Sequence, residues 1–312
     1  MKHWSLALSL LLMHAPVNAC MNEYEKSAPP PTPPTVTSRL ENSRDRATWQ
    51  ADRKALEETM TRGGDFRTQN DLAVALVHLG EYKAALAYFN TIESNHPGQY
   101  RTASNLGTTY ELLGDNVNAL RWIREGLNRN RDSHDNSEWI HLKILQVKLS
   151  GEKPASVLGL DFGAGSSPVA PTALPPDARE RPQTLAQIEN ALIFQLHERL
   201  QFVRAPDATM ASLLFDLGNL LALRGEDAHA HEIYNRALKY SPINRDLVQR
   251  RAGAIASRSP LPFYGGLVAV AFAGMGIWEW SSRRRARING VQILSMGDGE
   301  RPDLTEWSPP KE

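Results

Sequence analysis

The sequence repeats itself with a period of 34 residues. Residues 66–99 and 100–133 carry matching residue types at the same offsets, and residues 211–244 carry them a third time. A fixed period of this length is typical of stacked helical hairpins, each too small to bury its apolar face alone. The repeat therefore predicts an all-α fold, of a kind that binds partners rather than catalysing reactions.

Each copy contains the residue types that two packed helices need. An apolar residue, a glycine or alanine, and a second apolar residue share one helix face: Leu72, Ala73 and Leu76, then Leu106, Gly107 and Tyr110, then Leu217, Gly218 and Leu221. A glycine then ends the helix, an alanine lets a second helix approach, and a larger side chain fills the space beyond: Gly80, Ala85 and Phe89, then Gly114, Ala119 and Ile123, then Gly225, Ala230 and Tyr234.

These landmarks resemble the tetratricopeptide repeat (TPR) family, over about a third of the chain. The second copy departs from the family pattern, with Arg131 where proline is usual and Gly126 where alanine is usual. The alternative is an ordinary helical bundle with accidental similarity. The resemblance implies a TPR-like helical-hairpin solenoid, to which the sequence adds one C-terminal transmembrane helix.

The resemblance also implies a concave face that binds a partner peptide or helix. Carried over by position, that face holds Arg67, Asn70, Val74, His78, Arg101, Ser104, Thr108, Glu111, Phe215 and Asn219, and with them Val77, Ser212 and Ala222. We expect most of these side chains to be solvated. The recurring Lys/Asn/Arg set with which the family binds a C-terminal carboxylate is not found here.

The N-terminus has the features of a secretory signal peptide, residues 1–19. A basic start precedes an apolar run at residues 6–13 that is too short to span a bilayer. Residues 17–20 resemble a bacterial lipobox, which predicts lipidation of Cys20; Val17 and Asn18 are atypical, so ordinary cleavage after Ala19 stays open. Cys20 is the only cysteine, which excludes an intrachain disulfide and cysteine-rich metal sites.

Residues 261–280 are apolar enough and long enough to cross a membrane, with aromatic residues at both ends. The alternative is a buried core helix. Arginines follow at once, so the positive-inside rule places the tail, residues 281–312, in the cytosol. Gly265, Ala269 and Ala273 form a stripe of small residues that allows a homodimer. The two ends together predict a bacterial inner-membrane protein whose repeats lie in the periplasm.

The other segments complete the organisation. Residues 20–37 form a proline-rich tether, and residues 38–151 contain a helix at 40–60, the first two repeats and a helix at 137–149. Residues 152–183 are a Pro/Gly-rich loop; its apolar part, residues 157–162, either docks on the repeats or offers a strand or hook to a partner. Residues 184–258 contain a helix at 184–203 and the last repeat.

Nothing in the sequence indicates catalysis, a metal site or a cofactor. His229 and His231 are two apart, which on a helix points them to different faces, and His134 and His141 are better explained as solvated or core histidines. A formal net charge of +0 gives no bulk attraction to nucleic acid. We therefore predict a non-catalytic scaffold or adaptor of the cell envelope. The alternative is an accessory subunit of a membrane enzyme or secretion complex, contacted through the transmembrane helix.

Overall fold

The computed structural model describes residues 21–24, 35–41 and 44–258. The predicted signal peptide, Cys20, most of the tether, the predicted membrane span at 261–280, its small-residue stripe and the tail lie outside the described residues. Among the residues that are described, no helix is both long and apolar enough to cross a membrane.

The described part of the chain consists of helices and contains no strand, which confirms an all-α fold for it. The helices are α1 Val36–Glu41, α2 Arg46–Thr61, α3 Phe66–Leu79, α4 Tyr82–Asn95, α5 Tyr100–Leu112, α6 Asn116–Arg129, α7 Ser133–Asn136, α8 Glu138–Ser150, α9 Leu185–Leu200, α10 Ala208–Leu223, α11 Asp227–Lys239 and α12 Arg245–Ala256. From α2 onward each long helix packs against the next one in the chain, so most contacts are between sequence neighbours.

The repeat landmarks lie where two helices meet. Gly80, which ends α3, adopts the left-handed backbone conformation with φ 87°, where a side chain would be strained. Ala85 and Phe89 on α4 are both 0 % exposed. In the last copy Gly218 on α10 lies directly against the ring of Tyr234 on α11. Small residues on one helix thus admit large ones from the next.

Gly218→Ala is expected to destabilise the chain because a Cβ at this position would lie 2.6 Å from the Tyr234 ring. The ring cannot easily move, since its hydroxyl donates a 2.6 Å hydrogen bond to Asn219 Oδ1. We expect a loss of about 1–3 kcal/mol in the free energy of unfolding, measured by denaturation followed by circular dichroism.

Gly253→Ala is the matched control for this prediction. Gly253 lies inside α12 with nothing within 4 Å of the added Cβ, so alanine brings only its better helix propensity. We expect a gain of up to about 1 kcal/mol there. Equal effects of the two substitutions would contradict the close approach of α10 and α11.

The predicted helix at 40–60 is wrong as a single element. Asp45 caps a new helix, α2, by accepting from the backbone N–H of Thr48 at 2.8 Å, and α2 packs on α3 as a cap on the first repeat would. Leu40 belongs to the separate α1, which packs on α9 and α11, far along the chain. The helices predicted at 137–149 and 184–203 occur as α8 and α9, shifted by one to three residues at their ends.

Candidate functional site

The positions predicted to form a solvated concave face are mostly buried. Only Arg67 of the ten partner-binding positions is exposed, and six are buried: Asn70, Val74, Ser104, Thr108, Phe215 and Asn219. The expectation of solvated side chains was therefore wrong for most of them. The physical reason differs between positions: residues 21–24 and 155–165 of the same chain lie on some of them, and other helices pack on the rest, as Gly126 of α6 does on Ser104.

Two asparagines on neighbouring repeats form hydrogen bonds with the backbone of residue 22. The amide of Asn105 on α5 accepts from the backbone N–H of Asn22 at 2.7 Å and donates back to its carbonyl at 3.1 Å. Asn70 on α3 donates to the same carbonyl at 2.6 Å, and Asn105 donates to Asn70 Oδ1 at 3.0 Å. The two side chains thus replace the partners that a neighbouring β-strand would provide.

Similar hydrogen bonds reach the backbone of the next two residues, Glu23 and Tyr24. Arg101 donates to the carbonyl of Glu23 at 2.8 Å, and Asp71 accepts from the backbone N–H of Tyr24 at 2.6 Å. The four backbone groups bound in this way, two N–H groups and two carbonyls, belong to three consecutive residues, Asn22, Glu23 and Tyr24. We call the five side chains around this segment the asparagine site; they are Asn70, Asp71, Arg101, Asn105 and His134.

The side chains of the bound segment are also accommodated. Met21 is 1 % exposed and joins the apolar cluster that contains Trp49 and Leu106. The ring of Tyr24 meets Phe66 edge-on at 5.6 Å, and the Arg101 guanidinium lies 4.4 Å from its centroid. Beyond Tyr24 a cleft of about 620 Å³ continues between the starts of α3 and α5.

His134 contacts the side chain of Asn22, with its Nε2 2.9 Å from Asn22 Nδ2. Its other ring nitrogen pairs with the Glu138 carboxylate. Burial disfavours the charged form of His134, but the Glu138 carboxylate outweighs burial and raises the pKa of His134. Nε2 accepts in the neutral ring and donates in the charged ring, and the Asn22 amide has both a donor and an acceptor, so it can pair with either form of His134.

Glu111, predicted on the concave face, is instead the centre of an internal ion cluster. Its carboxylate accepts from His141 at 2.7 Å and from Lys148 at 2.6 Å, both on α8, and from Arg199 on α9 at 2.9 and 3.1 Å. Burial alone would raise the pKa of Glu111, but Arg199, His141 and Lys148 hold it well below its usual value. The cluster ties α5 to α8 and α9.

His78, another predicted concave-face residue, is stacked between aromatic rings. The ring of Trp49 lies parallel to it with centroids 3.7 Å apart, and that of Phe202 lies 4.8 Å away. Burial lowers the pKa of His78 to about 3, and Arg44 adds to this effect. A histidine held neutral in an apolar stack is a packing residue rather than a binding group.

The second segment, residues 155–165, covers the last repeat at what we call the loop site, formed by Ser212, Asp216, Asn219 and Arg251. Ser212 accepts from the backbone N–H of Val157 at 2.9 Å, and Asp216 accepts from Ser156 at 2.8 Å. The apolar side chains of Val157, Leu158, Leu160 and Phe162 are buried in the same core as α9 and α10. Of the two possibilities for this segment, docking on the repeats is the one observed.

Arg251 on α12 fixes the far end of the segment. Its guanidinium donates to the carbonyls of Phe162 at 2.8 Å, Gly163 at 2.5 Å and Gly165 at 3.1 Å, and to Asn219 Oδ1 at 2.5 Å. Arg251 is 0 % exposed and is among the largest fully buried side chains. The predicted site residue Asn219 thus binds a residue of the chain itself.

Asp216→Asn is expected to remove a pH-dependent loss of stability. Asp216 is 0 % exposed, and in the described structure its Oδ1 has no hydrogen-bond partner. Burial raises the pKa of Asp216 well above 3.8, although Ser156 opposes the shift. Since the folded state holds this proton more tightly, wild-type stability falls as pH rises from about 3.8 through the raised value.

Asparagine cannot ionise, so the variant gains stability relative to wild type as pH rises. Melting temperatures between pH 4 and pH 8 measure this gain, and the exposed Asp135→Asn is the control. A difference between variant and wild type that stays constant with pH would contradict the burial of Asp216.

Sequence reasoning missed five of the nine residues that form the two sites: Asp71, Asn105, His134, Asp216 and Arg251. One signal was present, because Asn70 and Asn105 lie 35 residues apart, within one residue of the repeat period. Among the described residues no group of three or more His, Cys, Asp or Glu is placed to hold a metal ion. No protein-family model, curated protein or solved structure matches the chain.

Proposed function

We propose that this chain is a non-catalytic scaffold whose TPR-like repeats bind an extended segment of a partner protein at the asparagine site. The observation that carries the proposal is a set of hydrogen bonds to the backbone of the bound segment. They are made by the side chains of Asn70, Asn105, Arg101 and Asp71. These are contacts to backbone groups, which every polypeptide offers.

Hydrogen bonds to backbone groups suit peptide binding rather than catalysis. Each backbone hydrogen bond contributes about 0.5–1.5 kcal/mol, so several are needed for useful affinity, and the site provides them on one strand-like ligand. Side-chain amides held in a buried pair also lose little freedom on binding.

The place of action in this proposal comes from the sequence. The secretory signal, the lipobox-like residues before Cys20 and the apolar residues 261–280 with the arginines after them support repeats that face the periplasm from the inner membrane. The partner is then a protein of the cell envelope.

Site-specific photo-crosslinking in cells of the source organism tests the proposal. A photoreactive residue replaces Arg67, which is exposed and lines the cleft beyond Tyr24, and in the control it replaces Lys83, which is exposed on α4. We expect a defined adduct with an envelope protein from position 67 only.

The adduct must also depend on the asparagine site. Asn70→Ala with Asn105→Ala should abolish it while circular dichroism still reports a folded chain. Adducts that are absent, or that persist in this double variant, would refute the proposed function.

A further inference from the structure

The asparagine site is already filled by the chain itself. Resting on the proposed function, we propose that residues 21–24 are a built-in ligand that a partner displaces. The displacing ligand is an extended segment of an envelope protein with an apolar residue followed by asparagine, as in Met21–Asn22.

The asparagine site selects side chains as well as backbone. Met21 is 1 % exposed and Asn22 is 4 % exposed, so the site encloses both side chains. A large polar residue in place of Met21 would be buried in the apolar cluster around Trp49 and Leu106, at a substantial free-energy cost.

His134 favours asparagine at the second position of the segment, that of Asn22. Glu138 fixes the ring of His134, which leaves Nε2 facing Asn22 at 2.9 Å. The backbone of His134 has φ 52°, a conformation that residues other than glycine rarely adopt and that concentrates at ligand-binding positions. A hydrogen bond from Ser137 Oγ to the His134 carbonyl at 2.5 Å holds it there.

The bound segment, residues 21–24, leaves part of the binding surface open. The cleft beyond Tyr24, lined by Arg67, Gln99, Tyr100 and Arg101 among others, stays open over about 620 Å³. A longer extended ligand can occupy this space in addition to the place of residues 21–24. Its residues after the asparagine would meet Arg67 and Arg101 as well as Asp65, so the cleft offers partners to polar side chains of either charge.

Displacement of the segment is within reach of ordinary affinities. Residues 25–34 join the segment to α1 in the sequence, and tethering over so short a stretch gives an effective concentration on the order of millimolar. A partner segment with more contacts than residues 21–24 make can compete against that.

The test uses a fluorescent synthetic peptide with the sequence of residues 21–27 and the purified full chain in detergent, followed by fluorescence anisotropy. Met21→Asp in the chain should release the built-in segment without altering the site. We expect this variant to bind the peptide about tenfold or more tightly than wild type does. Adding Asn105→Ala to it should remove the binding.

A second variant keeps the test decisive if Met21→Asp does not fold. Asn22→Leu keeps a similar volume but removes the amide that contacts His134 and Asn105, so it should also release the segment and raise peptide affinity. A peptide with leucine at its second position should bind more weakly than the original. Equal affinity for wild type and the released variants, or binding that survives Asn105→Ala, would overturn the inference. If position 67 still gives adducts that need Asn70 and Asn105, the proposed function survives that result.

Discussion

Glu111→Ala is expected to lower the free energy of unfolding by about 3–5 kcal/mol, because the carboxylate to which three basic groups point is lost. His141 is buried, and the side chains of Arg199 and Lys148 are 6 % and 26 % exposed, so water replaces the carboxylate only in part. The effect should spread beyond the local site, since the cluster joins α5, α8 and α9. Denaturant unfolding followed by circular dichroism measures it.

Glu57→Ala is the control for this prediction. Glu57 forms an ion pair with Arg53 on the surface of α2, where its side chain is 48 % exposed, and solvent screens such pairs. We expect a far smaller effect there. If Glu111→Ala were as mild as Glu57→Ala, the ion cluster would not tie the helices together in solution.

Arg251→Met should have an effect of similar size and a more local signature. Methionine keeps much of the volume, but the carbonyls of residues 162, 163 and 165 lose their charged donor inside the protein. We expect a loss of about 3 kcal/mol or more, since hydrogen bonds to charged groups contribute about 1.5–3 kcal/mol each and are not additive.

The local signature is exposure of the loop segment. Phe162 is 3 % exposed in the native fold, so chymotrypsin should cleave after it faster in Arg251→Met than in wild type. Arg250→Met, on the exposed neighbouring residue, should leave the cleavage rate unchanged. Equal protection of Phe162 in both variants would mean that Arg251 does not hold the segment.

The repeat pattern predicted the helical hairpins well, because their signals are local. A glycine that ends α3, an alanine that admits α4 and Phe89 that fills the gap all act within one 34-residue copy. The helical part of the prediction therefore needed no knowledge of distant residues.

The binding of the chain's own segments to the predicted concave face could not be predicted in the same way. Asn22 and Asn105 are 83 residues apart, and Arg251 and Phe162 are 89 apart, so their pairings leave no periodic pattern in the sequence. The segment that binds the asparagine site is four described residues long, too short for a hydrophobic period. Leu40 likewise joined a distant core, since its short helix was free to pack away from α2.

Self-occupancy changes what the repeats can do. The first two copies hold residues 21–24 and the last holds residues 155–165, so both parts of the predicted concave face carry a segment of the same chain. The two differ in their attachment: residues 155–165 contribute four apolar side chains to the core, whereas residues 21–24 contribute only Met21. We therefore expect the segment at the asparagine site to be the easier of the two to displace.

Hydrogen–deuterium exchange at the backbone amides of Asn22 and Tyr24 in the full chain reports whether residues 21–24 bind the repeats in solution. Because these two N–H groups donate to Asn105 and Asp71, we expect both to exchange much more slowly than in the isolated peptide of residues 21–27, and Asn105→Ala to restore fast exchange at Asn22. Exchange in the wild-type chain at the rate of the isolated peptide would contradict the binding of residues 21–24 to the repeats.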